Sequence, residues 1–176
     1  MGKSEFDEAY DDDIERRVAE ERRLGESFLS ARIGELNPPL AVSVPNSATI
    51  REAIQVMLDR GIGAVVVQRE GRAIGIFTER DVLRRVVLSG LDHGRPVSEV
   101  MTSDPETLSL DDDAAFALNR MIVGGYRHIP LRDETGTTVR MLSVRDVVGF
   151  IDSLIPKRIR NLPPEPSLEA RSPDGG

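Results

Sequence analysis

An α/β fold of mixed α+β character, built from two β-α-β-β-α units related by a pseudo-two-fold axis, is predicted by three observations. The run Gly75-Ile76-Phe77-Thr78-Glu79-Arg80-Asp81-Val82-Leu83-Arg84 returns as Arg140-Met141-Leu142-Ser143-Val144-Arg145-Asp146-Val147-Val148-Gly149. Thr78 and Ser143 thus stand 65 positions apart, as do Asp81 and Asp146. Upstream, Ala53-x-x-x-Met57 returns as Ala117-x-x-x-Met121 at an offset of 64, and Gly71 returns as Gly136. Strand-like and helical patterns also follow one another in the same order in both copies. A repeat of this length marks paired supersecondary units that bury their faces on each other. Such a pair has two symmetry-related clefts.

Each element has a local reason. Residues 1–33 form a polar N-terminal extension. Its first 12 residues are expected to be mobile. Asp13 to Ile33 reads as a helix with a loose stripe of Ile14, Val18, Leu24, Phe28 and Leu29. That stripe suits a helix docked on the domain or on a second subunit, and equally a solvated, frayed extension. Asn37-Pro38-Pro39 breaks it. The first unit, residues 34–95, opens with the short strand Ala41 to Val44. Thr49-x-x-Glu52 is a capping box for a helix that runs to Arg60 and stops at Gly61. Ala64 to Val67 is apolar throughout, as in a strand buried on both faces. Arg72 to Phe77 follows, and Thr78 caps a helix reaching about Ser89. The second unit, residues 96–155, repeats the order. Its elements are a strand at Glu106–Leu108, a helix from Asp111-Asp112-Asp113 to Val123, strands at Ile129–Arg132 and Thr138–Leu142, and a helix from Ser143 to Leu154. Residues 156–176 form a Pro-rich tail, expected to be disordered.

Composition narrows the function. Only 4% of the 176 residues are aromatic against 39% hydrophobic, so the core must be aliphatic. Without cysteine there is neither a disulfide nor a thiolate site. The net charge of −7 argues against a nucleic-acid partner. No apolar run approaches the roughly 20 residues that span a bilayer, and no apolar leader opens the chain. No membrane association is expected, and a cytoplasmic location is. A thiol nucleophile and a Gly-rich phosphate loop are missing, and the two histidines lie far apart in sequence. Asp111-Asp112-Asp113 reads as helix-start charge rather than a metal site. An enzyme is therefore not expected, nor a required cofactor.

The chain resembles a tandem pair of cystathionine β-synthase (CBS) domains, a Bateman module, over about Ile33 to Ile155. The resemblance rests on Val97-Ser98-Glu99-Val100-Met101-Thr102, Arg127-His128-Ile129-Pro130-Leu131, Gly75 through Asp81, and Ser143 through Asp146. It implies two-fold pairing of the units, commonly a disc-shaped homodimer of pairs. It also implies an adenosine nucleotide (AMP, ADP or ATP) in the inter-repeat clefts and an unidentified effector protein that receives the signal. The alternative is a ligand-free dimeric interaction scaffold.

Candidate binding residues follow at the strand-to-helix junctions. A helix start offers free N–H groups to phosphate, and Thr78 adds a hydroxyl. Asp81 is placed to accept from the two ribose hydroxyls, and Arg84 to meet phosphate oxygens. The same Thr-x-x-Asp spacing is also a helix capping box, and the two roles are compatible. Ile62, Gly63 and Ala64 open the apolar strand expected to wall the adenine. Ser143 and Asp146 repeat the junction, but Arg140 replaces Gly75 and Gly149 replaces Arg84, so the first junction is expected to bind more tightly. Arg127 and His128 stand where the first unit has Ile62 and Gly63. The resemblance implies that basic residues there point into the cleft toward phosphate; the other reading is a surface Arg and a strand-end His. His93, in a polar linker, has no role assigned.

Overall fold

The computed structural model describes residues 18–19, 22–23, 25–70 and 72–155. The expectations of a mobile start at 1–12, of apolar stripe positions Ile14 and Leu24, and of a disordered tail at 156–176 lie outside them. Residues 18–19, 22–23 and 25–30 are helical, and a 3-10 turn follows at Ile33–Leu36.

Two sheets carry the two units. In the first, β1 (Ser43–Pro45) pairs parallel to β2 (Ala64–Arg69), and β2 pairs antiparallel to β3 (Arg72–Thr78). Helix α1 (Ile50–Arg60) connects β1 to β2. It begins at the Thr49/Glu52 box and ends on Gly61 in the left-handed conformation, as its sequence demands. After β3, α2 (Glu79–Asp81) runs into a π-helical stretch at Val82–Val87. The second sheet repeats the plan. Strand β5 (Leu108–Ser109) pairs parallel to β6 (His128–Arg132), which pairs antiparallel to β7 (Thr138–Ser143). Its helices are α3 (Ala114–Gly124) and α4 (Val144–Leu154). Even the irregularities correspond: each hairpin slips register once, at Val67/Gln68 and at Leu131/Arg132.

Strand β2 shows why residues 64–67 are apolar without a break. Val65 and Val67 face the first core, with Phe77, Ile50 and Met57. Ala64 and Val66, on the opposite face, meet Ile76 of β3 and Met141 of β7 in the seam between the sheets. The alternation of a strand sends successive side chains to opposite faces, and here both faces are covered. The second core gathers Ile129, Leu131, Leu142, Val147 and Met121.

A further strand lies between the repeats. Residues Thr102–Ser103, β4, follow a 3-10 turn at Val97–Glu99 and pair antiparallel to β3. Val97 is fully buried in the first core. The start of the first repeat does the reciprocal thing. Ile33 is fully buried in the second core, and residues 39–41 lie along β7. There Met141 N–H donates to Pro39 O at 3.0 Å, and Ala41 N–H donates to Val139 O at 3.1 Å. Each repeat's opening segment thus completes the sheet of the other repeat. Phe28, one turn before, packs against the same second core, so the helical extension docks on the domain at its C-terminal end.

Candidate functional site

The two strand-to-helix junctions fold as reciprocal capping boxes. Thr78 N–H and Oγ1 both donate to Asp81 Oδ2, at 2.9 and 2.7 Å, while Asp81 N–H donates to Thr78 Oγ1 at 3.3 Å. Ser143 and Asp146 copy the arrangement at 2.7, 2.6 and 3.3 Å. In each box one carboxylate oxygen is consumed by the cap. The other oxygen differs. Asp81 is only 7% exposed, and its Oδ1 faces Arg85 Nε at 3.4 Å. Asp146 is half-buried, and its Oδ1 takes no hydrogen bond among the described residues.

Between the units lie two clefts. Cleft one, about 440 Å³, brings Thr78, Asp81 and Arg84 of the first unit against Gly124 to His128 of the second, with the linker residues Thr102 and Asp104 to Glu106 along its edge. Cleft two, about 510 Å³, brings Ser143, Val144 and Asp146 against Arg60 to Ala64, with Pro39, Leu40 and Val42 along its edge. Arg127 and His128 line both. All ten candidate residues therefore line a cleft, but they are grouped differently from the expectation. Ile62 and Ala64 do not wall the Thr78/Asp81 junction; they face Ser143 and Asp146. The reason is the pairing of the units, which sets each junction against the other unit's helix-to-strand turn. Gly75 is in neither cleft. A Cβ there would lie 2.9 Å from Thr102 O and closer still to Met101 Sδ, so its smallness serves the close approach of β4.

The clefts differ in electrostatics. Arginines 80, 84, 85 and 127 line cleft one, but so do Glu79, Asp81, Asp104 and Glu106. Arg80 and Arg85 are already spent on the backbone oxygens of Gly125, and of Val100 and Met101. Cleft two has three arginines, 60, 127 and 145, against two carboxylates, Glu79 and Asp146. Its walls are also apolar, from Leu40, Val42, Ile62, Ala64, Met141 and Val144. Apolar walls with a few convergent polar groups suit a planar heterocycle carrying an anionic tail. His128 is held below the ordinary imidazole range, first by burial and then by Arg127, with Glu79 and Asp146 opposing.

At the edge of cleft one, Glu106 and Tyr126 join Arg120 in a cluster. Arg120 grips Glu106 with Nε to Oε1 at 2.6 Å and Nη2 to Oε2 at 2.9 Å, and Tyr126 OH donates to Oε2. Arg120, then Tyr126, holds the Glu106 carboxyl below its usual range, while burial, then Glu106, pushes Tyr126 up. Their counterparts in the first unit, at an offset of 64, are Val42, Val56 and Ile62. A group present in one copy only leaves no trace in the repeat. Among the described residues no cluster of three or more His, Cys, Asp or Glu suits a metal ion, and no helix is long and apolar enough to cross a membrane.

Comparison with known proteins bears on this geometry. The CBS domain family model matches twice, at residues 33–88 and 97–153. An uncharacterized 17.7 kDa protein of Acidianus ambivalens is 29% identical over 120 residues, covering 68% of this chain and 72% of its own. The meiotically up-regulated gene 70 protein of Schizosaccharomyces pombe is 37% identical over 110 residues, covering 62% of this chain but only 15% of that longer one. Among solved structures, a CBS-domain-containing protein of Agrobacterium tumefaciens superposes with a TM-score of 0.64 at 29% identity, covering 68% of this chain and 98% of its own. A CBS domain protein from Pyrobaculum aerophilum, complexed with AMP, superposes with a TM-score of 0.62 at 28% identity, covering 70% and 99%.

Proposed function

Because this chain belongs to the CBS domain family and carries the domain twice, we propose that it is a regulatory module which binds an adenosine nucleotide of the AMP, ADP or ATP class. Cleft two is the primary site. The observation that carries this reading is the convergence, in that one cleft, of the Ser143/Asp146 junction, the apolar wall of Ile62 and Ala64, and Arg127 with His128. Asp146 Oδ1 accepts from the ribose, the wall receives the adenine, and Arg127 and His128 meet the phosphate. The AMP complex of the 28% identical Pyrobaculum protein supports the ligand class. Cleft one is the weaker site, reversing the order that Gly75 and Arg84 suggested. Its Asp81 is closed off by Arg85, and Glu106 and Asp104 bring negative charge to where a phosphate would lie.

The module acts as a homodimer and passes its signal to an effector protein. Apolar side chains stand exposed on the outer helix faces, notably Leu58, Val87, Leu88, Ile122, Val123 and Val148. Two-fold assembly is the usual cover for such faces.

A thermal-shift panel of AMP, ADP, ATP and adenosine tests the reading. Nucleotide at about 100-fold above Kd stabilises by about 2.7 kcal/mol. Calorimetric titration then ranks the clefts. Asp146→Ala is expected to weaken the tighter binding event by about 1.5–3 kcal/mol, the worth of a hydrogen bond to a charged group, and Asp81→Ala by less. No stabilisation by any of the four at millimolar concentration refutes the function, and a larger loss at Asp81 refutes the ranking.

A further inference from the structure

We infer that the two clefts compete for phosphate: an anionic ligand in one weakens binding of an anionic ligand in the other, because a single arginine serves both. The inference rests on the nucleotide reading above and adds to it a rule of occupancy.

Four residues line both clefts: Gly63, Glu79, Arg127 and His128. The wall between the clefts is thin. A Cβ built on Gly63 would lie 3.1 Å from Glu79 Oε2 and 3.1 Å from His128 Cε1, so these side chains close over the glycine. The charge on this wall is unbalanced between the units. Arg127 has Gly63 as its counterpart in the first unit, since Val144 N–H donates to Arg127 O as Glu79 N–H donates to Gly63 O, and Glu79 has Val144 in the second. Symmetric units would present one cation to each cleft; here one guanidinium and one carboxylate are shared between two. Arg127 is exposed, and its guanidinium makes no hydrogen bond or ion pair among the described residues, so it is free to turn to either side. A phosphate in cleft two engages Arg127 and leaves cleft one facing Glu79 and the bound anion. The first ligand thus takes up a cation open to the second and adds a like charge a short distance away across a thin wall. Coupling of this kind is reciprocal. An uncharged nucleoside draws on neither effect and is expected to fill the clefts independently.

The test is a thermodynamic cycle by calorimetry with AMP and with adenosine. Leu40→Trp obstructs cleft two and Thr102→Trp obstructs cleft one; each position lines one cleft only. Each block is verified by the loss of one adenosine equivalent. For AMP, the product of the two association constants in the unaltered chain is expected to fall at least about fivefold below the product from the two single-cleft variants, the lower end of common coupling strengths. For adenosine the products should agree. Equal products for AMP overturn the competition, as does a cleft one that takes no AMP even with cleft two blocked. Neither result touches the nucleotide reading, which falls only if none of AMP, ADP, ATP and adenosine binds in either cleft.

Discussion

Thr138 begins β7 with its hydroxyl buried and without a hydrogen-bond partner among the described residues. A buried, unpaired hydroxyl costs about 1–3 kcal/mol. Thr138→Val keeps the β-branched shape and removes that cost, so urea denaturation should show a gain of about 1 kcal/mol. His128 makes the opposite kind of prediction. Its folded pKa is depressed below 6.5, chiefly by burial. The unfolded chain therefore binds the proton more readily, and stability is intact above that pH and lost as pH falls through the folded value. Melting temperature should drop on acidification below about pH 6.5 in wild type, and His128→Gln should flatten that limb. Both residues also show what sequence can and cannot reveal at this scale. Thr78, Ser143, Asp81 and Asp146 were legible because each has a counterpart 65 positions away. Glu106, Arg120 and Tyr126 were not, since the property that unites them is proximity across 14 and 20 positions in a single copy.

Among the elements, the glycine pair Gly75 and Gly149 separates packing from conformation. Gly75 lies in β3, pressed against Met101 and Thr102 of the linker. Gly75→Ala should lose about 1–3 kcal/mol by overpacking and should release β4 first, visible as faster amide exchange at Thr102 and Ser103. Gly149 sits inside α4, and a Cβ there would meet nothing within 4 Å. Gly149→Ala should therefore gain about 0.5–1 kcal/mol of helix stability. The second unit tolerates Arg140 in place of Gly75 because only the Leu40 backbone bridges to it, and its guanidinium turns out to donate to Pro38 O. The longer elements could be read from their caps and apolar runs: α1 from Thr49 and Gly61, α4 from Ser143, β2 from four successive buried residues. The short ones could not. Strand β4 has two residues and the 39–41 segment one bridge, too few to show a period of two. The π-helical turns at Val82–Val87 were read as α-helix, because Val82-Leu83-Arg84-Arg85-Val86-Val87 suits either winding.

For the whole molecule, the crossed openings bind the two units into one. Ile33 is completely buried in the core of the second unit. Ile33→Ala should cost about 2–5 kcal/mol, and exchange at β6 should speed up before exchange at β2 does. The exposed faces of Leu58, Ile122, Val123 and Val148 set a second expectation at this scale. Light scattering should report about twice the 19.4 kDa chain mass, and Val148→Glu together with Ile122→Glu should return the monomer; a monomer in the unaltered chain at tens of micromolar refutes the dimer. The crossing also dictates a timetable for synthesis. The linker strand reaches its place on β3 soon after translation, since Ile76 and Thr102 are near in sequence. Pro38, by contrast, must wait for Arg140, 102 residues later. While the ribosome covers that interval, Leu40 and its neighbours have no edge to join and Ile33 has no core to enter. The earliest residues of the domain are thus among the last to settle, and a nascent chain halted before Thr138 should hold a closed first sheet with a loose apolar opening segment, open to chaperones and proteases.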